Sequence, residues 1–244
     1  MYFEKAQSKL SLLKKMLFMI FMMTAGNINV SRAEGFAVDM ELILAVDCSY
    51  SVSDAEYQLQ MNGLARAIRS SAVNIAIQAG HYKKISIALI QWSGTNNQIV
   101  SVPWTAIGSS NSIATLSERI RKLPRHVALG PTSISAVIAK SLHMFSNTPY
   151  RSYRKVLDIS GDGRNNDGVP AHFLRDVAIK KGITVNGLAI INETPTLHHY
   201  FRNAVIGGQG SFVIKANSYE AYEYAIQKKL VREIAPLPIV QNTL

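Results

Sequence analysis

Two carboxylates and three hydroxyls stand where a metal ion could use them. Asp47, Ser49 and Ser51 occupy alternate positions in LAVDCSYSVSDAE, Leu44 to Glu56, directly after an apolar run. Thr132 follows a Gly130-Pro131 turn, and Asp162 closes the apolar segment that begins at Val156. Every donor is an oxygen. That inventory suits a hard divalent cation, Mg²⁺ or Mn²⁺, held octahedrally with several waters retained. Zinc would draw on His or Cys instead. Taken alone, Asp-x-Ser-x-Ser is equally a helix-capping turn, because Ser51 and Ser53 are both good N-caps. Its place after an apolar strand, with Thr132 and Asp162 in matching contexts, turns the reading toward a metal site.

The elements that must position these residues alternate along the chain. Glu41–Asp47 is a nearly unbroken apolar run, which suits a strand covered on both faces. Ser53-Asp54-Ala55-Glu56 is a capping box, and Tyr57, Met61, Leu64 and Ile68 recur at helical spacing behind it. That helix breaks near Ser70-Ser71 and resumes to Ala79. Lys84–Trp92 reads as a second strand, and a turn at Gly94–Asn97 leads into a short antiparallel strand, Gln98–Val102, ended by Pro103. Helices are expected over Ile113–Leu123, Thr132–Phe145 and from Pro170 to near Gly182. Further strands fall at Lys155–Ser160, Ile183–Ile190 and Phe212–Ile214. A short helix is expected at Leu197–Arg202, and a last one over Tyr219–Glu233 behind a Ser218 cap. The alternation predicts an α/β fold. Its mainly parallel, doubly wound (Rossmann-like) sheet carries helices on both faces and one antiparallel edge strand. Ligands of such sheets sit beyond the carboxyl ends of the strands, where Asp47, Thr132 and Asp162 are expected to meet.

Several residues invite a catalytic reading and have a simpler one. Asp158 lies inside a strand and is expected to be a buried, paired carboxylate. Asn165, Asn166 and Asp167 are turn formers first. His198 and His199 are adjacent, so on a helix they diverge. The single cysteine, Cys48, has no partner for an internal disulfide and is expected to be buried.

Composition bounds the remainder. The chain has 244 residues, 48% hydrophobic and 17% charged, enough for one domain with a sizeable core. Lys5, Lys9, Lys14 and Lys15 precede an apolar stretch, Met16–Ala25, and then Ser31-Arg32-Ala33. This is the order of a secretory signal peptide over residues 1–33. The apolar stretch is half the ~20 residues a spanning helix needs, which disfavours an uncleaved anchor and stable membrane insertion. Removing residues 1–33 takes away five basic residues and one acid, lowering the net charge from +10 to +6. The one basic cluster, Arg119, Arg121, Lys122 and Arg125, reads as a helix end. No interleaved aromatics point to nucleic acid.

Asp47-x-Ser49-x-Ser51, a threonine about 80 residues later and Asp162-Gly163 resemble the metal-ion-dependent adhesion site of von Willebrand factor A domains. Residues 38–233 follow the element order of that fold, leaving 234–244 as a flexible tail. "VLDISGDGRNN" at 156–166, "NGLAI" at 186–190 and "KLVREIA" at 229–235 are similar to a bacterial group of secreted A-type proteins of unassigned function. The resemblance implies that Ser49, Ser51 and Thr132 ligate the metal directly or through water, with Asp47 and Asp162 acting mostly through water. Tyr50 departs from it, because glycine is common at that position.

The function expected is a secreted or periplasmic, non-enzymatic protein-binding module, whose metal takes an Asp or Glu carboxylate from a protein partner. The alternative is a Mg²⁺-dependent hydrolase doing phosphoryl chemistry at the same edge. It lacks an evident general acid and a phosphate-cradling lysine there, and no Gly-x-Ser-x-Gly elbow supports a serine hydrolase. If the targeting reading is right, N-terminal sequencing of chain recovered from its native host begins at Glu34. Recovery of intact residue 1 in a membrane pellet would favour the anchor.

Overall fold

The computed structural model describes residues 35–235. The signal-peptide reading of 1–33 and the tail beyond Ala235 lie outside the described residues. A six-stranded sheet forms the centre. Its strands are β2 (Glu41–Asp47), β3 (Ile85–Trp92), β4 (Gln98–Ile107), β6 (Lys155–Gly161), β7 (Ile183–Ile190) and β8 (Val213–Ala216). Two short strands, β1 (Phe36–Ala37) and β5 (Tyr150–Arg151), pair with each other outside it. The order is β4-β3-β2-β6-β7-β8, with every pair parallel except β3 and β4. This is the doubly wound architecture, with one antiparallel edge strand. Its winding reverses at β2, between β3 and β6, so the crevice at the carboxyl ends of β2 and β6 is the natural ligand position.

The helices are α1 (Asp54–Arg69), α2 (Ser71–Gln78), α3 (Ser110–Arg121), α4 (Ile134–Ser146), α5 (Ala171–Lys180), α6 (Leu197–Tyr200) and α7 (Tyr222–Ile234), with a π-helical turn over Phe201–Val205. Strand alternation divides the core. Leu42, Leu44 and Val46 pack among α1, α2, α3 and α7, whereas Ile43 and Ala45 pack among α4 and α5 on the opposite face. Helix α1 begins where the capping box places it: the Ser53 side chain accepts from the Glu56 amide, and the Glu56 carboxylate accepts from the Ser53 amide. Ser70 both ends α1 and caps α2, which fixes the expected break.

Several boundaries differ from the sequence expectation. β4 runs through Pro103 to Ile107 instead of stopping there. It is an edge strand whose register shifts opposite Ile87 and Leu89, so a residue without an amide proton is tolerated. Helix α3 starts three residues early, because Ser109 caps it reciprocally with Ser112. Thr132 lies in the approach to α4 and not within it, and α7 starts at Tyr222 without the expected Ser218 cap. Ile234, assigned above to the tail, is buried in the last turn of α7.

A buried ionic cluster fastens α7 to the sheet. Lys229 Nζ lies 2.8 Å from Asp158 Oδ2 and donates to Glu233 Oε1. Asn186 Nδ2 also donates to Glu233 Oε1, at 2.8 Å. The expected partner of Asp158 is thus Lys229, and both side chains are buried. Burial, with the Asp158 charge second, pushes the Glu233 carboxyl up to about 7. Arg154 donates to the carbonyls of Glu233, Ile234 and Ala235, satisfying the helix end. Lys229→Met leaves two carboxylates without their cation. Denaturant unfolding is expected to show a loss of about 3–5 kcal/mol, the range for breaking a buried pair. A loss below about 1 kcal/mol, typical of a surface pair, would show that the cluster does not anchor the helix.

Candidate metal centre

The carboxyl edge of β2 and β6 brings the five residues singled out above together. β2 ends at Asp47, which is fully buried. Asp47 Oδ1 accepts the Ser49 amide at 2.8 Å, folding the next residues back over the strand end. Ser49 Oγ then lies 3.3 Å from Ser51 Oγ, and the Ser51 hydroxyl donates to Asp162 Oδ1 at 2.7 Å. Thr132 arrives from the loop before α4. Its amide donates to Asn166 Oδ1 at 2.8 Å, and its carbonyl accepts the Asn166 amide at 2.9 Å. A Cβ built on Gly163 would lie 3.1 Å from Thr132 Oγ1, so the bare glycine lets the hydroxyl close on the loop after β6.

The electrostatics are the notable feature. Asp47 Oδ2 is buried and has no hydrogen-bond partner among the described residues. A Cβ on Gly161 would fall 2.7 Å from it, closer than real contacts allow, so this oxygen needs glycine at the end of β6. Burial and, second, the facing Asp162 carboxylate push the Asp47 carboxyl up to about 7. Asp162 is held from both sides, by Ser51 on Oδ1 and by the Tyr219 hydroxyl on Oδ2 at 2.9 Å. An orphaned carboxylate oxygen, a second carboxylate and three clustered hydroxyls fit a hard divalent cation, which would supply the missing charge and partner together. Among the described residues no three His, Cys, Asp or Glu side chains cluster as a metal group, so the donor set rests on hydroxyls as much as on acids.

Sequence reasoning missed Tyr219, which lies 57 positions from Asp162 in a segment read only as a helix start. It gave Asn165 and Asn166 turn roles. Their side chains do more, accepting the Ser135 and Thr132 amides and so tying the β6 loop to the α4 approach. Cys48 is buried as expected, and burial pushes its thiol up to about 12. His198 and His199 do not diverge as expected: their ring centroids lie 4.0 Å apart at a tilt of 38°, His198 half-buried and His199 exposed, and among the described residues they join no metal-binding group.

A family model described as a protein of unknown function, DUF1194, matches residues 37–238. No curated protein matches the chain. Among solved structures, it resembles proximal thread matrix protein 1 from the mussel byssus with a zinc-occupied adhesion motif. Identity there is 17%, over 82% of this chain and 48% of that one, with a TM-score of 0.55. A von Willebrand factor type A protein from Catenulispora acidiphila aligns at 16% identity over 81% of this chain and 43% of that one, TM-score 0.56. The corresponding domain of the type V pili tip protein Mfa5 from Porphyromonas gingivalis aligns at 10% identity over 83% and 98%, TM-score 0.54. The chain spans about half the length of the first two. The fold is that of a von Willebrand factor A domain, and identities this low carry the fold alone.

A raised carboxyl pKa favours the folded state only while the group is protonated. The Asp47 contribution is present below its unfolded pKa, near 4, and is lost as pH climbs toward about 7. Metal-free chain is therefore expected to lose stability between pH 5 and pH 8, read as a falling denaturant midpoint. Asp47→Asn removes part of that fall, and Glu233, shifted in the same direction, retains the rest. An identical fall in wild type and variant would show that Asp47 carries no strained charge.

Proposed function

The chain belongs to the DUF1194 family, and we propose that it is a divalent-metal-dependent protein-binding module working outside the cytoplasm. The observation that carries this reading is the buried, partnerless Asp47 Oδ2 facing Asp162 at the point where the sheet winding reverses. Asp47, Ser49, Ser51, Thr132 and Asp162 would hold the ion, Mg²⁺ or Mn²⁺ in preference to softer metals. Bound there, the ion supplies an open coordination position for an Asp or Glu carboxylate of a protein partner.

The chain's own residues set the geometry. Asp47 turns the first loop over the strand end through the Ser49 amide. Ser51 and Tyr219 orient Asp162, while Asn166 fixes Thr132. Residues 38–233 act as the module. The basic-apolar-small order of residues 1–33 supports export to the periplasm or beyond. No helix among the described residues is long and apolar enough to cross a membrane. The pilus and byssus proteins of similar fold support an adhesive role by analogy.

Mg²⁺ or Mn²⁺ is expected to raise the melting temperature of the purified chain. At a hundredfold excess over Kd the native state gains about 2.7 kcal/mol, or ~5–10 °C for a domain of this size. Asp47→Asn and Asp162→Asn are expected to abolish the rise, and Ser51→Ala to reduce it, because water can replace a neutral ligand. Full retention of the rise in both aspartate variants would remove the metal from this edge.

A further inference from the structure

Three side chains beside the candidate centre play no part in building it. Tyr50 sits between Ser49 and Ser51, yet 69% of it is exposed. Its amide donates to the Gly130 carbonyl at 2.8 Å, which brings it against the loop where Leu129 is 53% exposed. Large apolar side chains this open usually have a reason when they cluster at a site. On the other flank, Arg164 follows Asp162 by two positions and lies 5.5 Å over the Tyr200 ring. Ser51 and Asp162 share a 2.7 Å hydrogen bond, so the two flanks border one donor cluster.

The charges around this rim are unevenly used. Asp54 pairs with Arg125, Glu56 accepts from the Ser53 amide, and Asp167 accepts from the Thr95 amide. Among the described residues no carboxylate pairs with Arg164. Its guanidinium lies instead over the face of Tyr200, whose ring also lines a cleft of about 330 Å³ with Asn165, Asn166 and His172. An exposed guanidinium without a carboxylate partner, two residues from Asp162, is complementary to negative charge, and arginine offers a carboxylate two parallel donors.

Resting on the metal-binding reading above, we infer that this rim selects an acidic peptide segment with two acidic side chains and one apolar one. The first carboxylate meets the metal, the second meets Arg164 over the Tyr200 ring, and the apolar side chain packs on Tyr50 and Leu129. Glycine at position 50, common in proteins of this fold, would offer no such apolar contact.

Four labelled Gly/Ser peptides test it by fluorescence anisotropy on the full chain with Mg²⁺. They carry Asp alone, Asp with Glu, Asp with Leu, and Asp with both, the second residue being stepped through the flanking positions. Adding Glu is expected to tighten binding about fivefold, the upper range for an exposed ion pair, and salt should erode the gain. Arg164→Ala should erase that gain while keeping the Leu gain, and Arg164→Lys should restore part of it. Tyr50→Gly should erase the Leu gain alone. Four peptides that bind equally, yet release with chelator, would overturn the rim and leave the metal reading standing. Failure of every peptide to bind in a chelator-sensitive way would overturn both.

Discussion

A carboxylate oxygen sealed from water without a hydrogen-bond partner is the constraint around which this molecule is arranged. Asp47 Oδ2 occupies that position, with a second carboxylate facing it. Burying such a charge costs several kcal/mol unless it is neutralised or paired. The chain could have relieved the cost with a lysine. It provides glycine at Gly161 and hydroxyls at Ser49, Ser51 and Thr132, so the space beside the oxygen stays open and polar. Stability has been withheld at one point of an otherwise closely packed sheet, the pattern expected where a site is kept ready for a ligand.

The tolerance for that defect comes from the strand beside it. Alternation along β6 sends Asp158, Ser160 and Asp162 to one face, toward the segment that ends in α7. Each meets a polar group there: Lys229 for Asp158, the Tyr222 hydroxyl for Ser160 and the Tyr219 hydroxyl for Asp162. Leu157 and Ile159, pointing the other way, join the apolar core. One strand therefore carries an ionic anchor at its centre and leads directly into a candidate metal residue at its carboxyl end. Asp158 is held by α7 and Asp162 by the segment that leads into it.

The parts of this arrangement that were legible in the sequence are the local ones. Glu41–Asp47 was readable because a strand covered on both faces is apolar at every position. The α1 start was readable because a capping box is complete within four residues. Pro103 misled because the register shift that lets the expected edge strand run on through it arises only in the pairing with β3. Ser218 misled because a cap residue is recognised by its bond, and α7 begins three residues later without one. The five oxygen donors were readable as a pattern. The orphaned oxygen was not, since it depends on Gly161, a strand and 114 positions away. Tyr219 was illegible for the same reason. Its sequence context says helix start, and only tertiary packing delivers its hydroxyl to Asp162.

That delivery has a consequence for how the site would respond to an ion. Asp162 already spends both carboxylate oxygens on hydroxyl donors, Ser51 and Tyr219. A carboxylate with two oxygens has about four lone-pair sites, so neither bond must break for the group to face a cation directly or through water. Asp47, by contrast, has one oxygen committed to the Ser49 amide and one without a hydrogen-bond partner of normal geometry among the described residues. The two acids are therefore unequal. Asp162 is a positioned residue whose orientation is fixed before any ion arrives, and Asp47 is the residue whose energy changes most when one does. Pre-organisation on one side and uncompensated charge on the other is how a small oxygen site can bind a strongly hydrated cation without rebuilding itself.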